Sequence, residues 1–396
     1  MPQRLAASLV VALLVLLGAA PAASATAPAA PAQAACPQVN QPSPPVDASE
    51  APRPGGTVPG PLPVPDEPVG GEKMGTCGTV VPDGAPAPPE VGVQSYVVAD
   101  LDTGAVLAAR VPHARLRPAS LLKTLTGLLV ARTLPLDQVL VGTEDDANQE
   151  GTRVGMGPGG QYTTRQLLDA MLMASGNDTA HALAVRLTGS VPATVEKMNR
   201  TAAEIGALDT RAATPSGLDG PGQSSSAYDL ASIFRLGMRE APFAQAVGTR
   251  QIQFPGFGGK PPIAVDNDNR IFRYPGALGG KTGFTDDARH TYIGAQDRGG
   301  RRLVVVLMRG EQRPVPMVDQ GLALLDYGYA LPRGASVGRL TEPGTAAPAA
   351  AGRSDTTLFG APDSPVTGTT SWGTVLAVVA VAGLGLVVLV LRLRRR

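Results

Sequence analysis

The chain has 396 residues, with 48 glycines, 38 prolines, two cysteines and a formal net charge of +1. No basic patch with interleaved aromatics occurs before the extreme C-terminus, which excludes nucleic-acid binding as an organising function. Proline and glycine are unevenly spread, so part of the length is not packed core.

Residues 1–25 read as a signal peptide: Arg4, an apolar run from Leu5 to Ala20, and a small-residue cleavage site at Ala23-Ser24-Ala25. Residues 26–90 read as a disordered spacer, because 15 prolines fall in the 54 positions from Pro37 to Glu90 and proline can neither ladder into sheets nor continue helices. Cys36 and Cys77 lie in this stretch, and an exported chain permits a bridge between them. Two cysteines so far apart do not suit a zinc site, and no paired-histidine spacing occurs, so no metal or other cofactor is expected.

Residues 91–333 read as one globular domain of sufficient length for a sizeable core. Ser95–Ala109 predicts two strands joined at Asp102-Thr103-Gly104. Helices are predicted from about Ser120 to Ala131, over 164–173, 179–187, 195–205 and 227–240, and near 318–329. Strands are predicted from Lys281 onward, at 291–296 and 303–308. Strands at both ends with helices between imply the α+β class, an antiparallel sheet with helical layers. A linker at 334–371 follows. Residues 372–391 then predict a transmembrane helix, with Gly373–Leu391 free of charge, and 392–396 a basic tail that the positive-inside rule keeps cytoplasmic. The expected location is the cell membrane, single-pass, with the globular domain outside.

Three polar clusters carry the chemistry: Ser120-Leu-Leu-Lys123, Ser175-Gly-Asn177 and Lys281-Thr282-Gly283. A serine hydroxyl is a weak nucleophile that needs a neighbouring base. Lys123 is one turn from Ser120 among Leu121, Leu122, Leu125, Leu128 and Leu129, a poor place for a solvated lysine. Burial and a second cation, Lys281, would depress its ammonium enough to act as that base. Ser175 could relay a proton and Asn177 hold a substrate amide, although both also suit a helix cap. Lys281 and Thr282 could bind a carboxylate, and Gly283 permits close approach of backbone and substrate. The three histidines, His113, His181 and His290, stand in no Ser-His-Asp context; His181 reads as structural and His290 as surface.

Longer blocks extend the pattern: Arg117-Pro-Ala-Ser-Leu-Leu-Lys123; Gly159-Gly-Gln-Tyr-Thr163 with Ser175-Gly-Asn-Asp178; Thr214-Pro-Ser-Gly-Leu-Asp219; Asn269-Arg270; and Gly279-Gly-Lys-Thr-Gly-Phe-Thr285. On these residues the domain resembles the D-alanyl-D-alanine carboxypeptidases, the low-molecular-mass penicillin-binding proteins. The resemblance implies a β-lactamase/penicillin-binding-protein transpeptidase-like fold and an acyl-serine enzyme that removes the terminal D-alanine of peptidoglycan stem peptides and is trapped by β-lactams. It makes Ser120 the nucleophile, Lys123 its base, and Ser175 and Asn177 the second element. Lys281, Thr282 and Gly283 would line the substrate strand, and the backbone N–H groups of Ser120 and Phe284 would form the oxyanion hole. Arg309 or Arg313 could bind the substrate carboxylate. Two alternatives stay open. One is a class A-like β-lactamase, although 210–226 lacks the glutamate that class uses. The other is a catalytically weak penicillin-binding scaffold.

Overall fold

A computed structural model describes residues 36, 38–52 and 54–342, which fall in one compact unit. The predicted signal peptide, transmembrane helix and basic tail, and the linker beyond 342, lie outside the described residues. Among the described residues no helix is long and apolar enough to cross a membrane.

The elements in chain order begin with β1 (Thr79–Val80), β2 (Val93–Asp100) and β3 (Ala105–Arg110). A 3-10 turn, Ala119–Leu122, leads into α1 (Lys123–Thr133), then β4 (Val139–Val141), α2 (Glu144–Ala147) and β5 (Gln161–Thr163). Five helices follow: α3 (Thr164–Met173), α4 (Asn177–Thr188), α5 (Val191–Glu204), α6 (Ala227–Gly237) and α7 (Ala241–Gly248). A small hairpin, β6 (Gln251–Phe254) and β7 (Ile263–Asp266), precedes β8 (Ala277–Thr285), β9 (Arg289–Arg298) and β10 (Arg301–Gly310). The described chain closes with α8 (Met317–Ala330) and β11 (Gly338–Arg339).

Seven strands form one antiparallel sheet in the order β1-β3-β2-β10-β9-β8, with β11 also paired to β3. Its central strands are apolar on both faces, as a sheet sandwiched between helices requires. Val97, Ala99, Val304 and Val306 face the large core shared with α3 and α6. Tyr96, Val98, Leu303, Val305 and Leu307 face the second core, under α8. Period-2 alternation therefore sends each strand into two cores at once. The α+β expectation holds, with helices covering both faces of the sheet. Helix α1 runs through the middle of the helical layer, buried on every side from Lys123 to Val130. A helix apolar all round belongs inside a protein, and this one delivers its N-terminus to the sheet edge.

The predicted hairpin forms, with Gly104 at φ 76 and the Asp100 carboxylate accepting from the Asp102 and Thr103 amides. The prediction for α3 matches residue for residue, because a Thr163–Gln166 capping box sets its start. Sequence reading missed α2, α7 and the β6–β7 hairpin, which are short and lack a clear period. It also started the third strand region at Lys281, whereas β8 begins at Ala277; two glycines at 279–280 hid the first half.

Two domain boundaries need correction. Over residues 38–52 and 54–90, the expected disordered spacer of 26–90 is an ordered strap laid across the domain. Cys36 and Cys77 are bridged. The loop they close separates them by 41 positions, a length at which a bridge contributes about 2–4 kcal/mol. The strap carbonyls, which have no sheet to enter, are taken by arginines instead. Buried Arg115 donates to the carbonyls of Asn40, Leu62 and Pro63 and to Asp209 Oδ1. The expected linker from 334 likewise starts too early. Residues 338–339 pair with β3, Leu340 is buried, and Glu342 forms ion pairs with Arg235 and Arg239.

Candidate active site

The nucleophile candidate sits in the 3-10 turn before α1. At three residues per turn, positions i and i+3 eclipse, so the turn stacks Lys123 on Ser120 more closely than an α-helix would. Ala119 opens the turn at φ 47, a left-handed conformation rare outside glycine. Two neighbours hold it there. Thr291 Oγ1 on β9 donates to the Pro118 carbonyl at 3.0 Å. The loop at Gly217 packs so closely that a Cβ there would collide with the Ala119 carbonyl.

Lys123 is fully buried, and its Nζ lies 2.9 Å from Ser120 Oγ, 2.6 Å from Asn177 Oδ1 and 2.7 Å from the Ser216 carbonyl. Asn177 Nδ2 donates to the Glu150 carbonyl at 2.6 Å, which fixes the amide with its oxygen toward the lysine. Two of the three partners of Nζ can therefore only accept. A neutral amine satisfies both with its two N–H groups and leaves its lone pair for the Ser120 hydroxyl. Burial, and then the charge of Lys281, hold the Lys123 amine well below the ordinary lysine range, with Asp178 opposing. Lys281 is also buried, its Nζ donating to the Thr282 carbonyl at 2.7 Å. Burial brings its pKa down to about 8 against the pull of Asp268.

Ser175 joins α3 to α4 at φ 61 and opens onto the same cleft as Ser120. Asp178 accepts from the amides of Val154, Gly155 and Met156 and so pins the loop across the cleft. Strand β8 forms the opposite wall. Thr282, Gly283 and Phe284 line the cleft, while Lys281 lies behind it. A Cβ on Gly283 would sit 3.0 Å from the Ser120 nitrogen.

The cleft encloses about 610 Å³. It also takes in Asp268, Arg270, His290 and Arg313, so His290 is part of the cleft and not plain surface. Its ring packs on Phe284 at 4.6 Å between centroids. Of the two arginines considered for a carboxylate, Arg313 lines the cleft, whereas Arg309 donates to the Asp287 carbonyl at 2.7 Å. Sequence reading quoted Ser216 and Arg270 only as parts of longer blocks. Nothing in the residue type of Ser216 marks it, because its carbonyl does the work. Outside the cleft, His181 pairs with Asp146 at 2.6 Å, in keeping with a structural role.

Serine, depressed lysine and an opposing cation-bearing strand define a serine acyltransferase site of the Ser/Lys type. The D-alanyl-D-alanine carboxypeptidase family profile matches residues 83–312, more than half of the chain, and the chain belongs to that family. It is 46% identical over 265 residues to D-alanyl-D-alanine carboxypeptidase DacB2 of Mycobacterium tuberculosis, covering 66% of this chain and 90% of that one. The match to DacF of Bacillus subtilis is 30% over 242 residues and 62% of that relative's length. Among solved structures, the crystal structure of a D-alanyl-D-alanine carboxypeptidase from M. tuberculosis H37Rv is 44% identical. It superposes with a TM-score of 0.63 over 66% of this chain and 100% of that chain.

Proposed function

We propose that this chain is a serine D,D-carboxypeptidase that removes the terminal D-alanine from peptidoglycan stem peptides. The observation that carries the reading is the arrangement around Lys123 Nζ, which leaves a lone pair for the Ser120 hydroxyl. Ser120 Oγ attacks the carbonyl of the penultimate D-alanine as its proton passes to Lys123. The N–H groups of Ser120 and Phe284 would receive the developing oxyanion. The C–N bond breaks, the leaving D-alanine takes a proton through Lys123 and Ser175, and an acyl-serine ester remains. Water then hydrolyses the ester and Ser120 regains its proton. Asn177 holds the lysine in register, and Thr282 faces the terminal carboxylate with Arg270 and Arg313, while Lys281 adds positive charge from behind the strand. β-Lactams would acylate the same serine. We further propose that the chain is exported and tethered by residues 372–391; the apolar run and the arginines after it support this.

Intact-mass spectrometry after incubation with penicillin, with peptide mapping, tests the reading alongside D-alanine release from a pentapeptide. A stable adduct on Ser120 together with D-alanine release is expected. Rapid loss of free antibiotic without an adduct would replace the carboxypeptidase by a β-lactamase, and neither activity would leave a scaffold.

The two lysines also set a pH profile. Lys123 must be neutral to accept a proton, so the rate rises as pH climbs through its depressed pKa. Lys281 must be charged to attract a carboxylate from behind the strand, and that charge is lost as pH rises through about 8. The expected kcat/KM profile is a bell whose alkaline limb falls near pH 8. A profile flat to pH 10 would remove Lys281 from carboxylate binding.

A further inference from the structure

We propose that residues 43–50 of the N-terminal strap act as a positioning clamp on the active site, with Glu50 and the Val46 N–H as its contacts. The inference rests on the Ser120 reading above. Arg117 lies three residues before Ser120 and is almost wholly buried. Its guanidinium is held by both carboxylate oxygens of Glu50, one at 2.8 Å, and donates to the Ser43 carbonyl at 2.8 Å. Four residues from Glu50, the Val46 N–H donates to Asp287 Oδ1 at 2.6 Å. Asp287 is in the turn between β8 and β9, just past the Lys281–Thr285 wall of the cleft, and is itself buried. One short stretch of strap thus grips the nucleophile turn at one end and the turn after β8 at the other.

These are the two surfaces whose separation sets the catalytic geometry, because Gly283 on β8 packs directly against the Ser120 nitrogen. The turn they enclose holds a left-handed alanine, which persists only where its surroundings over-determine it. A bidentate guanidinium–carboxylate pair fixes angle as well as distance, and burial removes the water that would loosen it. The strap is in turn anchored on both sides of the clamp. Arg115 takes its carbonyls at Asn40, Leu62 and Pro63, and the Cys36–Cys77 bridge encloses the whole stretch. Main-chain density of proline supplies the stiffness a clamp needs: Pro42, Pro44 and Pro45 precede Val46.

The test uses the full chain. Acylation by penicillin is followed in time, and peptide hydrolysis gives kcat and KM separately, for the parent and for Glu50→Ala, Glu50→Gln and Val46→Pro. Loosened alignment predicts that Glu50→Ala and Val46→Pro each lose about tenfold or more in acylation rate and kcat, with KM within about threefold. Glu50→Gln should recover part of the loss, because its amide oxygen still accepts from Arg117. Val46→Pro decides alone if Glu50→Ala does not fold, since Val46 is 67% exposed and proline, which already occupies positions 44 and 45, removes the N–H that Asp287 accepts. Folded Glu50→Ala and Val46→Pro proteins that acylate and turn over within twofold of the parent would overturn the clamp while leaving the serine mechanism intact. A parent that never acylates at Ser120 would overturn both.

Discussion

Ser120→Ala should abolish covalent capture of penicillin and release of D-alanine while the fold persists, and Lys123→Met should cut both rates by about 10²–10⁴. The two variants fail for different reasons. The first removes the atom that forms the ester. The second leaves the hydroxyl in place without a base, and also strands the Asn177 Oδ1 and Ser216 carbonyl that Lys123 satisfies at 2.6 and 2.7 Å. Lys123→Met keeps the length of the buried side chain, so little buried volume is lost. Mass spectrometry and circular dichroism on each variant separate the outcomes. Labelling of Ser120→Ala would move the nucleophile elsewhere, and a Lys123→Met protein with parental acylation would assign the base to another group.

Gly283→Ala is expected to lower kcat by about 10²-fold, through placement and without touching a reacting group. The new Cβ would collide with Thr291 Oγ1 and lie 3.0 Å from the Ser120 nitrogen and 3.2 Å from Ala119 Cβ. Thr291 is the residue whose hydroxyl ties β9 to the Pro118 carbonyl, so displacing it frees the nucleophile turn from the sheet. Strand β8 cannot retreat instead, because a Cβ at Gly279 would already meet the Val247 carbonyl, a measure of how tightly α7 backs the strand. Acylation time courses check the effect. Parental rates in Gly283→Ala would mean that β8 and the turn approach less closely during the reaction than at rest.

The side-chain half of the candidate site was legible in the sequence. Ser120, Lys123, Ser175, Asn177 and Lys281 are polar residues at apolar or turn positions, and that misfit is visible without coordinates. The main-chain half was not. The Ser216 carbonyl, the left-handed Ala119 and the Gly283–Ser120 approach are properties of backbone, which any residue name conceals. The strap failed for a different reason. Its prolines forbid helix and ladder, and the inference from there to disorder assumed that carbonyls outside regular structure go to water. Arg115 and Arg117 take them instead, and the signal that could have been read was two arginines in a segment otherwise bound for the core, His113-Ala-Arg-Leu-Arg-Pro118. Local periodicity found the long helices and the central strands. It could not find the sheet order, in which β2 pairs with β10 across more than two hundred residues.

Strand β8 ends the sheet, with β9 on one side and no strand beyond it among the described residues. An edge of this kind offers main-chain hydrogen bonds to an extended guest, and main-chain pairing is blind to the guest's side chains. Discrimination would then fall to what the edge cannot read: the handedness of the residues, which would decide whether the scissile carbonyl turns toward Ser120, and the terminal charge, which Arg270 and Arg313 in the cleft would meet. Exchanging a stem residue upstream of the two D-alanines should therefore change kcat/KM less than amidating the terminal carboxylate. Tolerance of the middle of the peptide and strictness at its end would be two results of one open edge.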